Sequence, residues 1–195
     1  MRIFGVILAG GQGRRMGGAD KALLSLAGQS LIARAVKRLE PQVDALAISA
    51  NGAPERFASL GLPVLPDLGS QGPLSGILAA LNWAAPRGAT AVVSAPVDCP
   101  FLPQDLVPRL CRAAETTGLA LAASGGNLHP TCGLWPVTLA PALTAFLASG
   151  AKARVRDFAL AHGAATATFA DDGSFANLNT PDDLTRLEAL IRATP

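Results

Sequence analysis

The sequence predicts an α/β protein built as a three-layer sandwich, in which helices cover both faces of a mostly parallel sheet. Apolar runs of strand length alternate along the chain with segments whose apolar residues recur at helical spacing. That alternation is typical of parallel strands joined by crossover helices. The chain has 195 residues, 50% of them hydrophobic and 15% charged, and it shows no internal repeat or linker. We therefore expect residues 1–195 to form one domain.

Uninterrupted apolar runs predict the strands, because a strand that is covered on both faces has no polar side. The predicted strands are Ile3–Leu8, Leu46–Ala50, Val64–Leu65, Ala91–Ala95, Leu119–Ala123, Gly133–Val137 and Ala165–Phe169. Helices are predicted over Ser30–Leu39, Pro54–Leu60, Leu74–Ala85, Gln104–Thr116, Leu139–Ala148 and Ala153–His162. The first of these helices has its apolar residues at helical spacing, which places them on one buried face.

A last helix is predicted after Thr180, and its start has the clearest signal in the chain. Thr180 is a good N-cap residue, and Pro181 suits the first helical position. Asp182 and Asp183 complement the partial positive charge at the N-terminus of a helix. The sequence therefore predicts a helix that begins at Pro181.

Polar residues follow several of the predicted strands. In sheets of this kind, ligands bind beyond the carboxyl ends of the strands. That rule places the loop at 9–21, Asn51, Asp67 and Asp98 along one edge of the sheet. This edge is where we expect a ligand site.

Residues 8–21 read LAGGQGRRMGGADK, a glycine-rich segment that follows the first strand. Glycine lets successive backbone N–H groups converge on phosphate oxygens. Arg14, Arg15 and Lys21 can supply the countercharge that a triphosphate requires, and Arg15 suits a departing pyrophosphate. The segment therefore predicts a triphosphate site. The alternative is a strand-to-helix turn with incidental basic residues.

Two better-known phosphate loops do not fit this segment. A dinucleotide-binding fingerprint requires G-x-G-x-x-G, but Met16 stands where the third glycine belongs. A P-loop requires Gly-Lys-Ser/Thr at its end, whereas Gly18 is followed by Ala19. A secretory signal peptide also fits poorly, because the apolar run has the minimum length and leads into two arginines.

Asp98 stands in P-V-D-C-P, a proline-rich turn after the strand at Ala91–Ala95. A carboxylate fixed there suits Mg²⁺, which takes one or two carboxylates together with substrate phosphates and water. The alternative is a turn aspartate that bonds to its own backbone. The nearby phosphate-type loop favours the metal site.

Four weaker signals lie elsewhere in the chain. G-P-L-S-G at 72–76 could line a base pocket or only lead into a helix, and Asp67 could bind a ribose hydroxyl or cap its turn. H-P-T at 129–131 and N-L-N-T-P at 177–181 could hold a second, anionic substrate, because amides at a helix N-terminus bind anions. A lone histidine is more often structural, however, and an asparagine before a helix is more often a cap.

Composition excludes several classes of protein. A net charge of +2 is too small to indicate nucleic-acid binding, and no apolar stretch approaches the ~20 residues that span a membrane. Cys99, Cys111 and Cys132 are odd in number and lack C-x-x-C spacing. We therefore expect reduced thiols, a cytoplasmic location, and no nucleic-acid or membrane partner.

Together, these motifs resemble those of the molybdenum cofactor guanylyltransferases, which belong to the Rossmann-like nucleotidyltransferases. The matching stretches are LAGGxxxRMGxxDK at 8–21, GPLxG at 72–76, PxDxP at 96–100, HPT at 129–131, LWP at 134–136 and NxNTPxDL at 177–184. They extend over essentially the whole chain. The resemblance implies a single nucleotidyltransferase domain over residues 1–195.

The resemblance also implies a role for each matching residue. The nucleotide would be contacted by Leu8, Ala9, Gly10, Gly11, Lys21, Ser49, Asn51, Asp67, Gly72, Pro73, Leu74, Gly76 and Asp98. The pterin would be contacted by His129, Thr131, Asn177, Asn179 and Thr180. Catalysis would depend on Arg15, Lys21 and Asp98, with Mg²⁺ held by Asp98. Ser49 departs from the family pattern, which often has asparagine there, so it keeps a hydroxyl but lacks the amide.

The implied reaction is transfer of GMP from GTP to the terminal phosphate of molybdopterin, with release of pyrophosphate. GTP and molybdopterin would be the substrates of a monomer, and molybdopterin-insertion proteins and molybdoenzyme chaperones its protein partners. Two alternatives stay open. A cytidylyltransferase acting on the same pterin would share the loop and the metal aspartate. A non-catalytic adaptor that only delivers the cofactor would have less need for Lys21 and Asp98.

Overall fold

The computed structural model describes residues 1–10, 20–66 and 72–193. Its strands are β1 (Ile3–Leu8), β2 (Ser25–Leu26), β3 (Gln29–Ser30), β4 (Ala45–Ser49), β5 (Val64–Leu65), β6 (Ala91–Pro96), β7 (Ala120–Ser124), β8 (Asn127–Pro136) and β9 (Ala165–Phe169). Its α-helices are α1 (Leu31–Leu39), α2 (Pro73–Ala84), α3 (Leu106–Ala113), α4 (Ala140–Ala148), α5 (Val155–Ala161) and α6 (Pro181–Ala193). Short 3-10 turns occupy Lys21–Leu23, Glu40–Gln42, Pro54–Leu60, Ala85–Arg87 and Val137–Leu139. No described helix is long and apolar enough to cross a membrane.

Seven strands of the described chain form one sheet, in the order β5-β4-β1-β6-β8-β7-β9. β1 pairs in parallel with β4 on one side and with β6 on the other. The strand order therefore reverses beside β1, and in such sheets the ligand cleft lies beyond the carboxyl ends of the strands at that point. β2 and β3 form a separate antiparallel pair that the sequence did not predict.

Helices lie on both faces of the sheet and enclose two apolar clusters. Successive residues of a strand point to opposite faces, so Ile7 belongs to one cluster while Val6 and Leu8 belong to the other. α1, α3 and α6 cover the Ile7 face, and α2, α4 and α5 cover the opposite face. This arrangement confirms the three-layer sandwich with a mostly parallel sheet.

β8 departs most from the predicted elements. The sequence predicts a strand over Gly133–Val137, but β8 starts at Asn127 and is antiparallel to both β6 and β7. Gly125 and Gly126, both at positive φ, form the two-residue turn between β7 and β8. Such hairpin turns favour glycine because both positions need positive φ. The H-P-T motif therefore lies within a strand and not before one.

Some helix boundaries also differ from the prediction. The helix predicted over Gln104–Thr116 is shorter in the structure, where α3 ends at Ala113 and the chain turns through Gly118 at φ +74°. The helix predicted at Pro54–Leu60 has 3-10 geometry. The predicted start of the last helix at Pro181 is confirmed.

Candidate active site

The carboxyl ends of β1, β4 and β6 meet at one edge of the sheet. The Ala9 N–H donates to the Ser49 carbonyl oxygen at 2.8 Å, and the Val97 N–H donates to the Leu8 carbonyl oxygen at 3.1 Å. The loops that leave these three strands therefore start side by side. The structure thus brings together Leu8, Ala9 and Ser49, which the family resemblance assigns to the nucleotide.

An ion pair with an amide beside it lies at this edge. The Lys21 ammonium lies 2.8 Å from Asp98 Oδ2 and donates to Asn179 Oδ1 at 2.8 Å. The side chains of Lys21 and Asp98 are only 19% and 23% exposed, so water shields their charges less than it would on an open surface. Residues predicted to bind phosphate, metal and a second substrate therefore converge on one ammonium group.

Asp20 fixes the turn that carries Lys21. Its Oδ1 accepts from the Ala22 N–H at 3.0 Å, and its Oδ2 lies 2.7 Å from Arg56 Nε. Arg56 donates through Nη2 to the Asn51 carbonyl oxygen at 2.7 Å. The end of the glycine-rich segment is thereby tied to the loop after β4. Arg56 could not be predicted from the sequence, because a single arginine in a turn belongs to no motif.

The turn that carries Asp98 is bonded to the segment before α6. The Leu178 N–H donates to the Asp98 carbonyl oxygen at 2.9 Å, and the Cys99 thiol donates to Asn177 Oδ1 at 2.8 Å. A hydrogen bond with Cys132 and burial raise the pKa of the Cys99 thiol well above its ordinary value. The thiol therefore stays protonated and able to donate. Asn177 thus makes a structural contact in addition to its predicted ligand contact.

The N-terminus of α6 positions Asn179 and Thr180. Thr180 Oγ1 accepts from the Asp183 N–H at 3.2 Å, while Asp183 Oδ2 accepts from the N–H groups of Asn179 and Thr180 at 3.0 Å. These reciprocal bonds are of the capping-box type. The bond from the Asn179 N–H contributes most to lowering the pKa of the Asp183 carboxyl. The predicted N-cap role of Thr180 is confirmed, and the cap fixes the residue that contacts Lys21.

His129 on β8 is linked to the same segment through Phe175. The two rings are stacked, with centroids 4.3 Å apart and planes 5° from parallel. His129 Nε2 lies 2.8 Å from Ser124 Oγ, and the Phe175 carbonyl oxygen accepts from Cys99 Sγ at 3.9 Å. Burial lowers the pKa of the His129 imidazole, so the ring is mainly neutral at neutral pH. A neutral imidazole suits binding better than charge neutralisation.

Thr131 has a main-chain contact within the sheet. Its carbonyl oxygen accepts from Ser94 Oγ at 2.8 Å, and that hydroxyl in turn accepts from Trp135 Nε1 at 2.9 Å. Trp135 is fully buried, so this chain of bonds satisfies its polar atom within the core. The structure therefore gives Thr131 a role in strand packing, and its predicted pterin contact stays a prediction.

α2 begins at the part of the sheet edge that is predicted to bind the nucleotide. Gly72 has φ +76° and precedes Pro73, which takes the first helical position. A Cβ atom at Gly76 would lie 2.5 Å from Ser49 Oγ and 3.0 Å from Leu8 Cδ2. Since no side chain fits there, glycine lets α2 pack directly against the ends of β1 and β4.

Leu74 and Ser49, like Leu8 and Ala9, are predicted to bind the nucleotide but have buried side chains. Leu74 is 0% exposed and Ser49 is 1% exposed. Both side chains lie in the packed interior, so only their main-chain atoms could face a nucleotide. The Ser49 hydroxyl, which stands where the family often has an amide, lies beneath Gly76, and the predicted nucleotide contact of Ser49 stays a prediction.

Part of the predicted site lies outside the described residues. Gly11, Arg14 and Arg15 fall in the segment 11–19, and Asp67 falls in the segment 67–71. Their roles in binding and catalysis therefore stay predictions. Gly10 precedes the first of these segments and is exposed.

Asp98 is suited to hold a divalent cation. Among the described residues, no group of three or more His, Cys, Asp or Glu side chains could hold a metal ion. Mg²⁺ does not need such a group, since it uses one or two carboxylates together with phosphates and water. Asp98 Oδ2 already pairs with a cation, the Lys21 ammonium, at 2.8 Å. The chemistry of this donor therefore fits a magnesium ion that binds with a nucleotide.

The fold and the site define an α/β protein of the doubly wound class, with a lysine–aspartate pair at the edge where the strand order reverses and where such proteins bind ligands. Comparison with known proteins narrows this class. The family model described as "MobA-like NTP transferase domain" matches residues 5–165. The chain belongs to this family.

Relatives match the chain over nearly its whole length. It is 61% identical over 192 residues to a molybdenum cofactor guanylyltransferase of Cereibacter sphaeroides, with 98% of both chains covered. It is 52% identical over 196 residues to the molybdenum cofactor guanylyltransferase of Rhodobacter capsulatus, also with 98% of both covered. The crystal structure of molybdopterin-guanine dinucleotide biosynthesis protein A from Archaeoglobus fulgidus gives a TM-score of 0.73 at 25% identity, covering 97% of this chain and 98% of that chain.

Proposed function

We propose that this protein transfers GMP from GTP to the terminal phosphate of molybdopterin, with or without bound molybdenum, and releases pyrophosphate. The observation that carries the proposal is the Lys21 ammonium, which lies 2.8 Å from both Asp98 Oδ2 and Asn179 Oδ1. This ammonium group connects the part of the sheet edge predicted to bind the nucleotide with the part predicted to bind the acceptor. The names of relatives at 61% and 52% identity support the assignment.

The substrates determine what the residues have to do. An acceptor phosphate attacks the α-phosphorus of the triphosphate, and the two anions repel each other. Lys21 is positioned to offset that repulsion, because a partly buried charge is screened less than one in bulk water. Arg15 is proposed to neutralise the departing pyrophosphate. Alignment and fixed charge supply most of the catalysis in such transfers.

Asp98 is proposed to hold Mg²⁺, which when bound would neutralise part of the phosphate charge. The Asp98 carboxylate now pairs with Lys21, so metal binding would free that ammonium to contact phosphate oxygens. The turn itself is held by the bonds from Leu178 and from Cys99 to Asn177. Its position therefore does not depend on the cation.

The acceptor phosphate is already ionised at neutral pH, so the reaction requires no general base. The acceptor end is proposed to consist of neutral groups that bind and orient it: His129, Thr131, Asn177, Asn179 and Thr180. The lowered pKa of His129 agrees with such a role, because a neutral ring can still form a hydrogen bond.

We further propose one nucleotidyltransferase domain over residues 1–195, acting as a cytoplasmic monomer. The Cys99 thiol favours a reducing compartment, because it can donate to Asn177 Oδ1 only while it is reduced. Molybdopterin-insertion proteins and molybdoenzyme chaperones are proposed as partners that supply the acceptor and receive the product.

Pyrophosphate release tests the proposed reaction. Purified protein is incubated with Mg²⁺ and molybdopterin, and GTP and CTP are supplied in parallel. We expect release with GTP alone. A preference for CTP would make the protein a cytidylyltransferase, and tight GTP binding without release from either nucleotide would favour the adaptor. Omission of Mg²⁺, with Mn²⁺ added back, tests the choice of metal.

Asn179→Asp is expected to weaken binding of the anionic acceptor by about tenfold, because a second carboxylate would face the one ammonium that Asp98 already shares. The measurement is KM for molybdopterin, with KM for GTP followed in the same assay. Asn127→Asp places the same charge on the exposed β7–β8 hairpin and is the control. A raised KM for GTP with an unchanged KM for molybdopterin would place Asn179 at the nucleotide end.

A further inference from the structure

α1 carries a cluster of cations outside the group formed by Lys21, Asp98 and Asn179. Arg34, Lys37 and Arg38 share one face of this helix, because residues three and four apart are neighbours on a helix surface. The core-facing side is made by the buried residues Leu31, Ile32, Ala35 and Leu39. The three cations therefore face away from the core, beside the loop that follows β6.

A cavity of about 220 Å³ lies between this helix face and the loop after β6. It is lined by Gln29, Arg34, Lys37, Arg38, Pro100 and Gln104. Cations and amides dominate this lining, and it contains no carboxylate. A larger cavity of about 680 Å³ shares Arg34, Arg38 and Gln104, but its lining also includes Asp105 and Asp172. The smaller cavity is therefore the one whose charged groups are all positive.

The cations of this lining form no ion pair with a carboxylate within the described part of the chain. The ion pairs formed there involve Lys21, Arg56, Arg109, Arg154 and Arg186, and none involves the three cations of α1. Arg34 is held in place because its Nε and Nη2 donate to the Leu26 carbonyl oxygen at 3.0 and 2.7 Å. Burial and the neighbouring Arg38 lower the pKa of Arg34. A bound anion would relieve the repulsion between these two guanidinium groups.

We propose that this cavity is a second anion site, which binds a compact phosphate polyanion of the size and charge of inorganic pyrophosphate. Guanidinium groups match phosphate oxygens with paired N–H donors, and a lysine adds a mobile point charge. The side-chain amides of Gln29 and Gln104 supply further donors to the same oxygens. The chemistry of the lining therefore selects phosphate groups over apolar or cationic ligands.

The position of the site links it to the two segments that carry Lys21 and Asp98. Pro100 belongs to the same turn as Asp98, and Arg34 is bonded to the β2–β3 pair, which follows the Lys21–Leu23 turn. An anion held between α1 and this loop would connect both segments. Because a ligand that binds only the folded state stabilises it, pyrophosphate should also raise Tm.

Isothermal titration calorimetry with pyrophosphate, in EDTA to remove divalent metal ions, tests the site on the full chain. The double variant Lys37→Gln/Arg38→Gln removes two lining cations. Arg112→Gln/Lys152→Gln removes two exposed cations elsewhere and is the matched control. We expect the first variant to weaken binding by about tenfold or more and the control to bind like the unmodified protein. Equal weakening in both would indicate an adventitious ion only and would overturn the proposal.

Nuclear magnetic resonance of the glutamine side-chain amides locates the bound anion. Pyrophosphate should shift the signals of Gln29 and Gln104, whereas Gln42 should move little, since its amide donates to the Arg38 and Pro103 carbonyl oxygens. A shift confined to Gln12, the one glutamine of the segment 8–21, would place the anion in the nucleotide loop and would overturn the proposal. Neither experiment measures GMP transfer, so a negative result leaves the proposed function untouched.

Discussion

Replacing Asp98 with asparagine is expected to reduce GMP transfer by at least about a hundredfold, the scale associated with losing one preorganised electrostatic group. The substitution keeps the shape of the side chain but removes the charge that pairs with Lys21 at 2.8 Å. The fold should persist, because the main-chain carbonyl of residue 98 still accepts from the Leu178 N–H. Pyrophosphate release with GTP, Mg²⁺ and molybdopterin measures the rate, and thermal unfolding reports the fold.

Asp157→Asn provides the matched control for this substitution. Asp157 is an exposed carboxylate on α5 whose Oδ2 lies 3.8 Å from Arg154 Nη1, so removing its charge should leave the transfer rate unchanged. Near-normal turnover of the Asp98 variant in Mg²⁺ would remove Asp98 from the metal site. A loss of rate in both variants would point to a general effect of net charge.

Replacing Lys21 with methionine is expected to have two opposite effects. GMP transfer should fall by about a hundredfold or more, because no ammonium then offsets the repulsion between the two phosphate groups. Binding of Mn²⁺ without nucleotide should become tighter, because the ammonium that lies 2.8 Å from Asp98 Oδ2 no longer competes with the metal ion. Electron paramagnetic resonance of free Mn²⁺ measures the second effect directly.

The Asp98→Asn and Lys21→Met variants are expected to differ in their affinity for Mn²⁺. Asp98→Asn should weaken Mn²⁺ binding, while Lys21→Met should strengthen it, although both reduce transfer. Lys152→Met, which removes an exposed lysine far from Lys21 in the sequence, should change neither quantity. Weaker Mn²⁺ binding in the Lys21 variant would mean that this lysine organises the cation site and does not compete for it.

The layer architecture could be predicted from the sequence because its causes are local. The apolar run at Ile3–Leu8 and the helical spacing within Leu31–Leu39 each reflect which faces of one element are buried. The N-cap at Thr180 is also local, since its bonds with Asp183 span three positions. The first half of β8 could not be predicted, because Asn127 is exposed, the next four residues are half-buried, and the segment lacks a continuous apolar pattern.

The site was predictable as a set of residues but not as an arrangement. Motifs indicated Lys21, Asp98 and Asn179, each as a separate signal along the chain. Lys21 and Asn179 are 158 positions apart in sequence, and their contact depends on how the turn after β1 and the start of α6 pack across the sheet edge. The bonds made by Arg56 and Cys99 involve residues that belong to no recognised motif.

By itself, the sequence determined the chemistry available to this protein: a glycine-rich loop with cations, an aspartate in a rigid turn, and polar groups before a capped helix. Those properties depend on residue type and on neighbours within a few positions. Only the tertiary structure decided that one ammonium lies between Asp98 and Asn179, that the Ser49 hydroxyl is buried beneath Gly76, and that three cations line a separate cavity beside α1. Strand order and core packing set those distances, and both result from interactions between segments that are remote in sequence.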